Sequence, residues 1–171
     1  SMLPDLLTLS DVMGTGWHCA LGASVGTGDT VAVIGDGAVG LCAVLSARLM
    51  GAETIIAMSR HTARQEIATE FGATHIVPER GADGIARVLE ITDGLGVDAA
   101  LECVGTDEAM QTAISVARPG GRIGYVGVPH GIVLPMETMF GRNLRLGGGV
   151  APVRQYLPAL CDVVLAGEIH P

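Results

Sequence analysis

From Thr30 onward, short runs of β-branched and small apolar residues alternate with longer stretches whose apolar positions recur at helical spacing. Thr30-Val31-Ala32-Val33-Ile34 carries no polar alternation, which predicts a central strand covered on both faces. Residues 38–50 predict a helix closed by Gly51, and residues 54–58 a second strand. Residues 62–71 predict a polar-faced helix stopped by Gly72, and residues 75–77 a short third strand. A helix capped by Asp83 runs to Ile91, and a turn at Gly94 and Gly96 leads into a fourth strand over 98–102. Residues 107–117 predict a helix ended by Pro119-Gly120-Gly121, followed by a fifth strand over 122–126 and a sixth, at an edge, over 143–146. A last helix starts near Pro152 and stops before Gly167. Upstream there is no strand, only a helix expected over 10–25.

Strands alternating with crossover helices predict an α/β fold: a doubly wound, six-stranded parallel sheet of the Rossmann type. Residues 30–171 form that domain and residues 1–29 a connecting segment with its helix. The 171 residues are 49% hydrophobic and 16% charged, which excludes disorder, and 25 glycines require many tight turns. Eighteen acidic residues against ten arginines and no lysine give a net charge of -8. That balance disfavours nucleic acid or an acidic membrane as partner and removes lysine Schiff-base chemistry. The longest apolar run, 38–47, is too short and too interrupted to span a bilayer, and the first residues lack a basic start and apolar stretch. Cys19, Cys42, Cys103 and Cys161 show no CxxC spacing and read as reduced thiols of a cytoplasmic protein.

Gly35-Asp36-Gly37-Ala38-Val39-Gly40 fits the GxGxxG pattern directly after an apolar strand and before a helix. In that setting Gly35 makes the turn, Gly37 admits a pyrophosphate against the backbone, and Gly40 lets the helix lie close to the sheet. The N–H groups at the helix start, from Ala38 and Val39, face the diphosphate. Asp36 is expected to be solvated or to cap. NAD-binding sheets usually carry an acidic residue at the end of the second strand for the ribose hydroxyls; here that position is Ser59, followed by Arg60, His61 and Arg64. A carboxylate about 4 Å from a 2'-phosphate would cost on the order of 4 kcal/mol per unit charge at an effective dielectric near 20. Serine removes the repulsion, and Arg60 and Arg64 suit the phosphate oxygens, so the residues point to NADP rather than NAD. The same arginines also read as solvated residues of a first helical turn.

With these residues in place the chain resembles the cofactor-binding domain of zinc-dependent medium-chain alcohol dehydrogenases, from about residue 3 to 171. The glycine turn, Glu102-Cys103-Val104-Gly105, Pro119-Gly120-Gly121 and Val126-Gly127-Val128 carry the likeness. The resemblance implies one domain cut out of a two-domain enzyme that transfers hydride between an alcohol or carbonyl substrate and a nicotinamide coenzyme. It implies that Thr15, Val126, Gly127, Val128 and Gly148 lie beside the nicotinamide, and that Cys103, Val104 and Gly105 line the middle of the groove or its adenosine side. Asp11, four residues before Thr15-Gly16, fills the place of a zinc ligand; read from the residues alone it is a helix N-cap. Zinc is expected only in the longer enzyme, since the other ligands would come from a preceding domain.

His18 reads as a partly buried, hydrogen-bonded histidine, His130 as a loop histidine near the nicotinamide pocket, and Trp17 as a packing residue. The competing readings are a free-standing dinucleotide-binding module, a zinc-free quinone reductase of the same fold, which Asp11 opposes, and a methyltransferase, which Ser59 opposes. The sixth strand is an edge, where a two-fold homodimer would join.

Overall fold

A computed structural model describes residues 2–171. Six strands, β1 (Thr30–Ile34), β2 (Thr54–Met58), β3 (His75–Val77), β4 (Val97–Glu102), β5 (Ala117–Tyr125) and β6 (Arg145–Gly148), form one sheet in the order β3-β2-β1-β4-β5-β6. Every neighbouring pair is parallel. This is the doubly wound order expected from the alternating pattern.

Val31 to Ile34 are apolar and buried because both faces of β1 are covered. Ala32 and Ile34 face a core shared with Ile56, Met58, Ala100 and Ile123; Val31 and Val33 face the other, with Ile55, Ala57, Ala99 and Leu101. Helices α5 (Gly81–Ile91) and α6 (Asp107–Val116) close the first face through Val88, Met110, Ala113 and Ile114. The second is closed by α2 (Val12–Gly22), α3 (Ala38–Leu49) and α4 (Thr62–Phe71) through Cys19, Ala20, Ala43, Val44, Ala47 and Ala68. Outside α2 and α3 lies a third cluster, in which Leu9 after α1 (Leu3–Thr8) and Leu160 and Val164 of α8 (Val153–Leu165) pack on Met13, Cys42 and Leu45. Trp17 packs against that cluster.

Three departures from the expected elements have local causes. β5 begins at Ala117, upstream of the Pro-Gly-Gly turn, and its register against β4 shifts between Val97 and Ala99. Pro119 offers no N–H and Gly120 takes φ +75°, so the strand carries an irregularity there instead of starting after it. β6 lies two residues later than expected, because residues 136–141 fold as a short helix, α7 (Met136–Gly141), and Asn143 turns at φ +53°. Asp83 lies in the first turn of α5 and Arg80 holds the cap position.

Helix α2 reaches the sheet because β5 has a glycine where it crosses. A Cβ at Gly124 would collide with the Cys19 carbonyl oxygen and lie 3.2 Å from the Ala23 Cβ. Gly124→Ala must push α2 off the sheet, at a cost of about 1–3 kcal/mol. A thermal melt should fall by roughly 2–10 °C. Gly141→Ala, whose Cβ would meet nothing within 4 Å, should leave the melt within about 2 °C by the same scaling; equal shifts for both would refute the close approach.

Candidate functional site

Because all strands are parallel, their carboxyl ends lie along one edge of the sheet, and the chain runs outward from β1 through β2 to β3 before crossing back to β4 on the other side of β1. The crevice at that reversal is where doubly wound sheets take ligands. Nearly every residue singled out from the sequence is on this edge: Gly35 to Gly40 after β1, Ser59 and Arg60 after β2, Cys103 to Gly105 after β4, Val126 to Val128 after β5, and Gly148 at the end of β6.

The glycine turn has the form its spacing predicts. Gly35 takes φ +114°, and a Cβ at Gly40 would strike the Gly35 carbonyl, so α3 starts hard against the strand end. Gly37, by contrast, meets nothing: a Cβ there would find no atom within 4 Å. Its missing side chain serves no internal packing and leaves the start of α3 open, where no side chain caps the first N–H groups. That bare backbone fits the approach of a dinucleotide diphosphate. Beside it lies a solvent-open cleft lined by Gly35, Met58, Ser59, Arg60, Arg80 and Thr106, among others.

Asp36 departs from its expected role. It is 7% exposed, accepts a hydrogen bond from the Ser59 hydroxyl at 3.0 Å, and pairs with the Arg64 guanidinium at 3.1 Å. Arg64 is therefore turned onto Asp36, while Arg60 stays exposed at the cleft. Burial opposes ionisation of Asp36, but the Ser59 hydroxyl, the Arg64 guanidinium and the His61 backbone N–H together hold its carboxyl below the ordinary value of 3.8. The position after β2 lacks an acid, yet an ionised carboxylate from the glycine turn reaches the same spot.

At the end of β4, Glu102 is fully buried, and its Oε1 accepts the backbone N–H groups of Val104 and Gly105, each at 2.7 Å. This carboxylate fixes the turn that carries Cys103, Val104 and Gly105. Gly105 and Gly127 then touch backbone to backbone, joining the β4 and β5 turns, and the His130 N–H bonds the Gly105 carbonyl at 2.9 Å. Gly148, at φ +141°, lies against the Tyr125 backbone.

Asp11 precedes α2 but caps no backbone N–H; its Oδ1 accepts a hydrogen bond from the Thr15 hydroxyl at 3.2 Å. The side-chain cap read from the sequence is replaced by this contact one turn on. Among the described residues no three His, Cys, Asp or Glu side chains cluster to hold a metal. One carboxylate does not fit a zinc site by itself. His18 is partly buried and hydrogen-bonded, its Nδ1 2.7 Å from the Tyr156 hydroxyl.

Sequence reasoning used Glu102 only as part of the Glu102-Cys103-Val104-Gly105 motif, without a contact of its own, and gave no role to Arg80 or Thr106. The only signal for those two was position, just beyond the end of a strand or at the start of a helix on this edge.

Asp36 is held low by its partners, so its stabilising contribution is present above about pH 4 and lost as pH falls through its folded value. Asp36→Asn should flatten the acid side of the stability curve, measured by urea unfolding from about pH 5 down to 3. A slope unchanged from the parent chain would show that the carboxylate is not ionised in these contacts.

The comparisons with known proteins agree with this geometry. Residues 38–165 match the zinc-binding dehydrogenase family. A probable zinc-binding alcohol dehydrogenase of Mycobacterium tuberculosis is 40% identical over 166 residues, covering 95% of this chain and 42% of that protein. The NADP-dependent isopropanol dehydrogenase of Thermoanaerobacter brockii is 36% identical over 176 residues, covering 99% of this chain and 48% of that one. The structure of the alcohol dehydrogenase TADH from Thermus sp. ATN1 superposes with a TM-score of 0.90 at 32% identity, over 98% of this chain and 49% of that one. The chain thus spans about half the length of these relatives. With its fold, its glycine turn and its relatives in agreement, the chain belongs to the zinc-binding dehydrogenase family and folds as a Rossmann-type domain.

Proposed function

We propose that this chain is the NADP(H)-binding part of a zinc-dependent alcohol dehydrogenase that interconverts an alcohol and a carbonyl compound. The observation that carries the reading is the bare glycine turn opening onto a cleft whose β2 side presents Ser59 and Arg60 instead of an acid. The diphosphate lies over Gly35, Gly37, Ala38, Val39 and Gly40, and the adenosine beside Val104 in the cleft. Ser59 and Arg60 receive the 2'-phosphate, and Arg64 joins them by exchanging the Asp36 carboxylate for the phosphate. That exchange keeps the arginine paired but leaves the Asp36 carboxylate, 7% exposed and 3.0 Å from Ser59, beside the phosphate without its cation, so the exposed Arg60 guanidinium has to offset that repulsion.

Thr15, Val126, Gly127, Val128 and Gly148 flank the nicotinamide end, and Cys103 and Gly105 the middle. The bound nicotinamide supplies the hydride acceptor or donor; the chain positions it and excludes water from one of its faces. In the longer enzyme Asp11, hydrogen-bonded by Thr15, would be one carboxylate ligand of a zinc that polarises the substrate oxygen. Alone, the chain binds coenzyme and turns over no alcohol, because the remaining metal ligands and the substrate pocket lie outside it. β6 stands at the sheet edge, where a second copy would pair.

Asp36 favours a second reading. A buried carboxylate 3.0 Å from Ser59 could accept the ribose hydroxyls in place of the missing acid after β2, which would make NAD the coenzyme.

Fluorescence titration of NADPH and NADH separates the two. NADPH should bind at least roughly tenfold tighter, and Arg60→Ala should weaken NADPH roughly 10- to 100-fold, the worth of one charge-assisted hydrogen bond, with NADH nearly unchanged. Tighter NADH binding that Asp36→Asn weakens would establish the second reading and overturn the first.

A further inference from the structure

Three of the four cysteines converge where α2, α3 and the end of β4 meet. The sulfurs of Cys19 and Cys103 are 3.9 Å apart, close to van der Waals contact, though 84 positions separate them in the chain. Cys42, on α3, lies against Gly16 of the helix that carries Cys19. The elements are pressed together here by small residues: a Cβ on Gly16 would stand 2.9 Å from the Cys42 Cβ, and Gly124 admits the Cys19 backbone to β5. Among the described residues Cys19 Sγ otherwise makes a 3.8 Å contact to the Glu102 carbonyl and no other hydrogen bond.

We propose that Cys19 and Cys103 form a peroxide-sensitive dithiol site, which closes to a disulfide tying α2 to the end of β4. The two thiols are unequal in a way that orders the chemistry. Cys103 is partly exposed at the coenzyme edge, whereas Cys19 is completely buried. Burial, and then the neighbouring Cys103 sulfur, push the Cys19 thiol well above its ordinary range, so it does not meet oxidant first. The Cys103 sulfur attacks one oxygen of hydrogen peroxide, the O–O bond breaks, and water leaves with the proton, giving a sulfenic acid. The Cys19 sulfur then attacks the Cys103 sulfur, the S–O bond breaks, and the hydroxyl departs as a second water with the Cys19 proton. Two thiols lose two electrons, and one peroxide is reduced to two waters.

Reaching an S–S bond of about 2.05 Å needs the sulfurs to close by roughly 2 Å. Cys42 is the alternative resolving thiol, but it is 4% exposed, and burial pushes it up to about 12. Its sulfur makes no hydrogen bond to either neighbour among the described residues, while Cys103 points at Cys19. Cys161 lies on α8, in the outer cluster that also holds Cys42, and has no hydrogen bond to Cys19 or Cys103 among the described residues.

The site needs no coenzyme, so its test is independent of the dinucleotide reading. The fully reduced 171-residue chain is treated with a small excess of hydrogen peroxide, quenched by alkylation and mapped as unreduced peptides. A single intramolecular Cys19–Cys103 link, removed by dithiothreitol, is the expected product. Cys42→Ser should form it equally well, and Cys19→Ser should leave Cys103 as a sulfenic acid captured by dimedone. Because the unaltered chain gives the main result, misfolding of a variant does not blur it. A Cys103–Cys42 link, or a Cys103 sulfenic acid that persists in the unaltered chain, would overturn the assignment.

Discussion

Backbone-to-backbone approach, which only glycine permits, is the constraint on which the rest of this structure depends. At Gly124 it lets α2 descend onto β5, at Gly40 it lets α3 begin against the end of β1, and at Gly105 and Gly127 it brings two turns into contact. Side chains at these points would lift the helices and separate the turns, and the edge of the sheet would lose its shape. Gly37 differs in kind. Nothing inside the chain occupies the space a side chain would take there, so the opening faces outward. Internal closeness and external bareness, placed within four residues of each other, give the strand end the open backbone on which the proposed diphosphate site rests.

On that scaffold the charges are arranged with some economy. A buried carboxylate in the glycine turn, Asp36, keeps Arg64 and Ser59 in place when no phosphate is present, and a second, Glu102, holds the turn after β4 by two backbone N–H groups. Both act as anchors for loops that would otherwise depend on ligand for their order. Whether Asp36 also ranks the two coenzymes against each other follows from how far Arg64 is released, which makes this pair the hinge between fold and specificity.

Much of this was legible from residue pattern alone. β1, β2, β3 and α4 have the bounds that their apolar runs and closing glycines predict, because both faces of a central strand must be apolar and a helix end must be unwound by Gly72 at φ +115°. α1 and α7 are six residues each, too short for a helical period to register. The Pro-Gly-Gly turn was read as a gap between elements, whereas pairing with β4 extends the strand through it. The positions of the site residues were legible through their relation to strand ends. Their contacts were not: Asp36 and Ser59 are 23 positions apart, and only the side-by-side parallel register of β1 and β2 brings them together. The family resemblance, carried by the turns after β1, β4 and β5, extends to the matched zinc-binding dehydrogenase family.

A crystal structure of the chain soaked with NADP tests the central claim most directly. The diphosphate is expected on the N–H groups that follow Gly37, with the 2'-phosphate held by Ser59 and Arg60 and with Arg64 rotated off Asp36 toward it. A diphosphate seated away from the glycine turn would contradict the cradle, and a 2'-phosphate free in solvent, with Arg64 still bound to Asp36, would contradict the coenzyme assignment.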